Sequence, residues 1–88
     1  GAMDKTAMRL INILLGNDEN EAVLELHFPA PKILFEESTF IALGGADFGA
    51  KIDNNTIDNW QTISVEKGQT LSFSNKLKGN RLYLGVIG

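Results

Sequence analysis

Apolar positions along this chain change period once, near residue 20, and the change separates a helix from a series of strands. Asp4 is placed to accept a backbone N–H in a first helical turn, after which Ala7, Leu10, Ile11, Leu14 and Leu15 recur at helical spacing. That spacing predicts one helix from Asp4 to Leu15. It should close at Gly16-Asn17, two residues that tolerate the left-handed conformation of a helix C-terminus, with Asp18-Glu19-Asn20 as a polar connection. From Ala22 the period becomes two, with Leu24, Leu26 and Phe28 on one face and Val23, Glu25 and His27 on the other. Pro29 and Pro31 end this half-buried strand, because neither can donate to a sheet ladder.

Ile33 to Phe35 restarts as a short strand, and Phe40 to Leu43, apolar on both faces, suits a central strand that Gly44-Gly45 should break. Ala50 to Trp60 reads as a tight hairpin with an exposed tip at Asp53-Asn54-Asn55, residues that adopt positive φ at modest cost. Further strands are expected at Thr62 to Val65, Thr70 to Ser74 and Arg81 to Val86, with turns at Glu66-Lys67-Gly68-Gln69 and Lys78-Gly79-Asn80. One helix and six or seven short antiparallel strands predict a mainly β fold, a sandwich or a partly open barrel. Trp60, flanked by Asp58 and Asn59 rather than by basic residues, is assigned to the core and not to a stacking platform. No repeat or Ser/Pro-rich linker divides residues 1–88, which read as one domain. Leu82, Tyr83, Leu84, Val86 and Ile87 carry a strong strand pattern up to Gly88, so the last strand is expected to present an unpaired edge through which the chain self-associates.

Composition narrows the classes. At 88 residues and 43% apolar the chain supports one thin core, and with no cysteine it has neither disulfides nor thiolate metal sites. That usage suits a reducing cytoplasm. A net charge of −3, with eight scattered basic residues, argues against nucleic acid as a partner. The longest apolar segment, Leu10 to Leu15, is interrupted by Asn12 and is too short to cross a bilayer, so a membrane is not an expected partner either.

Candidate chemistry is sparse, and no catalytic residue is assigned. Glu25 and His27 share a strand face and could hold a metal or share a proton, but no third ligand accompanies them, so no metal site is assigned. Ser38, Ser64, Ser72 and Ser74 lack both a histidine neighbour and a nucleophile elbow. Gly44, Gly45 and Asp47 belong to a glycine-rich stretch that opens no helix pattern. There the backbone could approach a ligand, or Asp47 could bond the amide of Gly49 and fix a turn. Arg81 and Tyr83 alternate onto one strand face, where guanidinium and phenol could meet a carboxylate or cover a sheet edge.

Read in order, Asn12, Gly16-Asn17, Leu24-Glu25, Leu34-Phe35, Ile41-Ala42-Leu43-Gly44-Gly45-Ala46-Asp47, Trp60, Gly68 and Gly79-Asn80-Arg81-Leu82-Tyr83-Leu84 resemble the opening part of the AHS2 (allophanate hydrolase subunit 2) family. That family comprises one of the subunits of 5-oxoprolinase, an antagonist of a sporulation-kinase inhibitor and a region of urea amidolyase, all described as biotin-dependent carboxyltransferase-like. Gly1-Ala2-Met3-Asp4 also fits the family's opening, although Gly1-Ala2-Met3 equally fits a remnant of tag cleavage. The resemblance implies a cyclophilin-like fold that continues past Gly88, and hence a partial domain that is inactive alone. For the parent it implies a small amide or lactam substrate, ATP or biotin as cofactor of the complex, and a companion protein or domain of the AHS1 type. A regulatory module that occupies a partner protein is the alternative.

Overall fold

The computed structural model describes residues 4–88; Gly1-Ala2-Met3, on which the tag reading falls, lie outside the described residues. The helix, α1 (Lys5–Leu15), is set by its caps. Oδ1 of Asp4 accepts the N–H of Ala7 at 3.0 Å, and Gly16 turns left-handed at φ 72° with its N–H directed to the carbonyls of Asn12 and Ile13. Ala7, Ile11 and Leu15 form the buried stripe, whereas Leu10, Ile13 and Leu14 stay exposed. Asn12 interrupts the stripe yet is only 1% exposed. Its Nδ2 donates to the carbonyls of Glu21 (2.9 Å) and Glu19 (3.3 Å), and its Oδ1 accepts from Asn17 Nδ2 (3.3 Å), so the polar connection is pinned to the helix.

Eight strands follow: β1 (Leu24–Leu26), β2 (Ile33–Leu34), β3 (Thr39–Asp47), β4 (Ala50–Ile52), β5 (Asn55–Thr56), β6 (Ile63–Val65), β7 (Thr70–Phe73) and β8 (Lys78–Val86). They make two antiparallel four-stranded sheets, ordered β1-β8-β3-β6 and β2-β7-β4-β5, a partly open sandwich and not a closed barrel. Leu26, Ile41, Leu43, Leu82 and Leu84 of the first sheet and Ala50, Ile52 and Leu71 of the second share one core with Phe35, Phe48 and Val65. The alternate residues Ala42 and Tyr83 point to the other face of the first sheet, where they meet Ala7, Ile11 and Leu15 of α1. Gly85, paired with Ala42, admits the helix: a Cβ there would press into Ile11 Cγ2 and stand 3.0 Å from Leu15 Cδ1.

The expected hairpin forms, with β4 and β5 joined by Asp53-Asn54 and Asp53 at φ 53°. Its tip is exposed, but it is tied to β7 because Asp53 Oδ1 accepts the N–H of Thr70 at 3.0 Å. The hairpin's second arm stops at Thr56, and Asn55 lies in that arm rather than in the turn. β1 is shorter than the pattern from Ala22 to Phe28, and on its inward face only Leu26 is buried, while Leu24 is exposed.

Four other expectations are corrected. Gly44-Gly45 does not break β3, which runs on to Asp47 because both glycines keep their pairing with β8, opposite Tyr83 and Leu82. Lys78-Gly79-Asn80 is not a turn but the start of β8, since Lys78 pairs with Asp47. The last strand is not an edge: β8 lies between β1 and β3, so the ladder groups assigned to self-association are occupied, and β1 and β6 form the edges. Trp60 is 42% exposed and not a core residue; with φ 63° it lies over Gly44, where a Cβ would come within 2.5 Å of the indole Cη2.

Two substitutions test this packing. Gly85→Ala should destabilise the protein by about 1–3 kcal/mol in urea unfolding, because Ile11 and Leu15 must move to admit the methyl group. A neutral or stabilising effect would show that α1 does not seat there. Asn12→Ala should cost about 1–3 kcal/mol by leaving the Glu21 carbonyl without its donor, and unchanged stability would refute the clamp.

Candidate functional site

β3 and β8, nine residues each, pair along most of their length, and their register shifts between Gly45 and Asp47. A shift of this kind bends and twists the strand, and it lies toward the end of the ribbon beside Asp4 and the N-terminus of α1. There a recess of about 550 Å³ is lined by Asp4, Gly45, Ala46, Asp47, Lys78, Gly79, Asn80, Arg81 and Tyr83. Of the residues singled out in the sequence, Gly45, Asp47, Arg81 and Tyr83 are brought together, whereas Gly44 lies apart from the recess beneath Trp60. Gly45 adopts φ 96°, and a Cβ there would stand 2.7 Å from the carbonyl oxygen of Arg81, so the close wall of the recess requires glycine.

Asp47 performs the turn role. Its Oδ1 accepts the N–H of Gly49 at 2.9 Å, and its carbonyl takes the N–H of Leu77 at 2.9 Å, which fixes the exit from β3 against the entry to β8. The side chain is nevertheless exposed toward the recess that it lines.

Tyr83 is 1% exposed, so it does not cover a sheet edge: it is an interior strand residue beneath α1. Its hydroxyl accepts the Asp4 N–H at 2.9 Å and lies 3.3 Å from Glu25 Oε1, to which it donates. Glu25, opposite Tyr83 in the β1–β8 ladder, also faces Arg81 Nε at 3.7 Å and His27 Nε2 at 3.6 Å. The neighbours of Glu25 are thus a phenol, a guanidinium and an imidazole; among the described residues no three His, Asp or Glu side chains gather as a metal-binding set.

Lys78, Asn80 and Asp4 were not singled out as site residues. In the sequence Lys78 and Asn80 belong to a turn pattern and Asp4 to a helix cap, although Lys78 in fact pairs with Asp47 in β8. The one signal for Lys78 is a lysine at the start of a long strand pattern, and its register against Asp47 is not encoded locally. Asp47 and Lys78 supply an acceptor and a cation across the ribbon, and Arg81 supplies a forked donor on the wall. A neutral amide needs that pairing: acceptors for its N–H groups and donors for its carbonyl.

The model of the family described as "Carboxyltransferase domain, subdomain A and B" matches residues 1–88. The chain is 35% identical over 88 residues to a 5-oxoprolinase subunit of Escherichia coli (strain K12), covering 100% of this chain and 28% of that protein. It is 34% identical over 88 residues to urea amidolyase of Saccharomyces cerevisiae, covering 100% of this chain and 5% of that protein. The crystal structure of K. lactis urea amidolyase follows the same backbone with a TM-score of 0.88 at 32% identity, over 98% of this chain and 5% of that one. The chain therefore spans less than a third of the length of these relatives. With the family model matched from end to end and the same sandwich found in a 32% identical structure, the chain belongs to the carboxyltransferase domain family, subdomains A and B.

Proposed function

We propose that this chain forms the part of a carboxyltransferase-type domain that seats a small amide or lactam at the end of the β3–β8 ribbon. The parent protein then carries out either ATP-dependent opening of a lactam such as 5-oxoproline or biotin-dependent carboxyl transfer to an amide such as urea. The observation that carries this reading is the recess itself, where Asp47 and Lys78 face each other in register and the Gly45 backbone forms the wall. An Asp47 oxygen suits an amide N–H, and Lys78 or Arg81 suits the carbonyl or a carboxylate.

The described residues do not fit a resident nucleotide. The glycine-rich stretch remains in β3 and turns into β4, so no helix N-terminus stands behind it to receive phosphates. ATP or biotin is accordingly assigned to the rest of the parent protein or to its companion of the AHS1 type; the recess carries acid–base groups in Asp47, Lys78 and Tyr83 but, among the described residues, no serine or cysteine nucleophile and no histidine.

Two measurements test the proposal. The isolated 88-residue chain should turn over neither 5-oxoproline nor urea, with or without ATP, and measurable product from the purified chain would overturn the division of labour. In the full-length protein with its companion, Asp47→Asn keeps an oxygen for the Gly49 amide and should leave the melting temperature almost unchanged. It should also lower kcat/KM at least tenfold, about 1.4 kcal/mol. Asp47→Ala should in addition cost about 1 kcal/mol of stability. Full activity in Asp47→Asn would leave Asp47 with the turn alone and reject its contact with substrate.

A further inference from the structure

Exposed apolar side chains are gathered on one face of the molecule. Of the ten large ones among the described residues, Leu10, Ile13, Leu14, Phe40, Trp60 and Ile87 lie on the α1 side of the first sheet. Leu10, Ile13 and Leu14 share one flank of the helix, spaced three and four residues apart. That flank adjoins the segment after Trp60, because Thr62 Oγ1 donates to the Leu14 carbonyl at 3.0 Å. Trp60 lies over Gly44, and Phe40 projects from the same face of β3 as Ala42 and Gly44. Ile87 stands opposite Phe40, one step beyond the Ile41–Val86 pair, and its N–H donates to the Phe40 carbonyl at 2.9 Å. The segments that build this face, residues 10–15, 39–46, 60–64 and 82–88, contain no charged residue.

The indole on this face is placed by its backbone and not by burial. Trp60 adopts φ 63°, costly for so bulky a residue. It is held there by its N–H on the Leu43 carbonyl (2.8 Å) and by Asn59 Nδ2 on the Ala46 carbonyl (3.0 Å). A half-exposed tryptophan fixed in this way has the character of an interface anchor, because its ordering cost is met before anything binds. A transient partner's footprint is about as polar as the rest of a protein surface, whereas apolar faces without charge belong to permanent contacts. The relatives carry chain enough for such a contact within one polypeptide: this chain covers 28% of the Escherichia coli 5-oxoprolinase subunit and 5% of Saccharomyces cerevisiae urea amidolyase. We propose that this face is the seat of the remaining part of the same subunit, which covers Leu10, Leu14, Phe40 and Trp60 with an apolar surface of its own. None of these four residues lines the recess, so the contact is separate from the ligand seat proposed above.

Thiol labelling of the full-length protein tests the inference. Residues 1–88 contain no cysteine, so single Leu10→Cys, Phe40→Cys and Asn54→Cys substitutions can each be followed by iodoacetamide alkylation of the peptide that carries them. Asn54, at the exposed hairpin tip, is the reference. In the native subunit without its companion, Leu10→Cys and Phe40→Cys should be alkylated on the order of a hundredfold more slowly than in urea, because labelling waits for the contact to open. Asn54→Cys should slow less than about threefold, and dilution should change none of these rates. Where Leu10→Cys lowers the melting temperature, Ile13→Cys on the same flank takes its place. Alkylation of Leu10→Cys and Phe40→Cys as rapid as that of Asn54→Cys would leave the face open and overturn the inference. Protection that fades on dilution would make the occupant a second copy, and protection that appears only with the companion would make it the companion. Either result overturns the assignment to the same subunit. Equal protection of Asn54→Cys would show no preference for this face and would overturn it as well.

Discussion

The antiparallel pairing of β3 with β8 is the constraint on which the rest of the molecule depends. It joins residues 39–47 to residues 78–86, and each strand carries two different loads on its alternate faces. Toward the second sheet the side chains are large: Ile41, Leu43, Leu82 and Leu84. Toward α1 and Trp60 the ribbon is mostly small, with Ala42, Gly44 and Gly85 letting helix and indole approach the backbone. One ribbon thereby serves a sheet-on-sheet core and a close helix-on-sheet contact at once. The register shift at its far end produces the recess as a local consequence of the same pairing.

How much of this was legible in the sequence depends on how local the cause was. The helix was legible because both of its ends are decided within a few residues, by Asp4 and by Gly16. The hairpin was legible for the same reason, since a two-residue turn with Asp53 at positive φ is settled locally. The full length of the two long strands is not legible because glycines count as breakers in sequence. Here Gly44 and Gly85 mark places where Trp60 and Ile11, distant along the chain, touch the sheet. Trp60 misled in the opposite direction: its size argued for the core, but the space that it fills lies over a glycine at the sheet surface.

The site divides along the same line. Asp47 with its Gly49 turn, and the alternation of Arg81 and Tyr83, came from short patterns, and the structure gathers them in one recess. Lys78 and Asp4 reach the recess only through a sheet register and a helix orientation that no short window contains. Glu25 was read beside His27 because they are two residues apart, whereas its more buried neighbours, Tyr83 and Arg81, come from the other end of the chain.

What remains to be explained is why α1 takes a single position on the sheet, because the contacts in its middle are apolar and hydrophobic attraction has no direction. Along Ala7, Ile11 and Leu15 the helix could slide or rotate slightly with little loss of buried area. Polar groups at its two ends remove that freedom. At the start, the Asp4 N–H meets the buried hydroxyl of Tyr83, which would be costly to leave unpaired. At the far end, Asn17 Nδ2 donates to the Val86 carbonyl at 3.0 Å and its Oδ1 accepts the N–H of Gly88 at 3.0 Å, while Asn12 holds the connecting turn. Hydrogen bonds weaken steeply with misalignment, so two such anchors, one at each end of eleven residues, select one axial position and one rotation from the many that apolar packing alone would permit. Because the first anchor is the same tyrosine that touches Glu25, the seating of the helix and the wall of the recess are set by one buried hydroxyl.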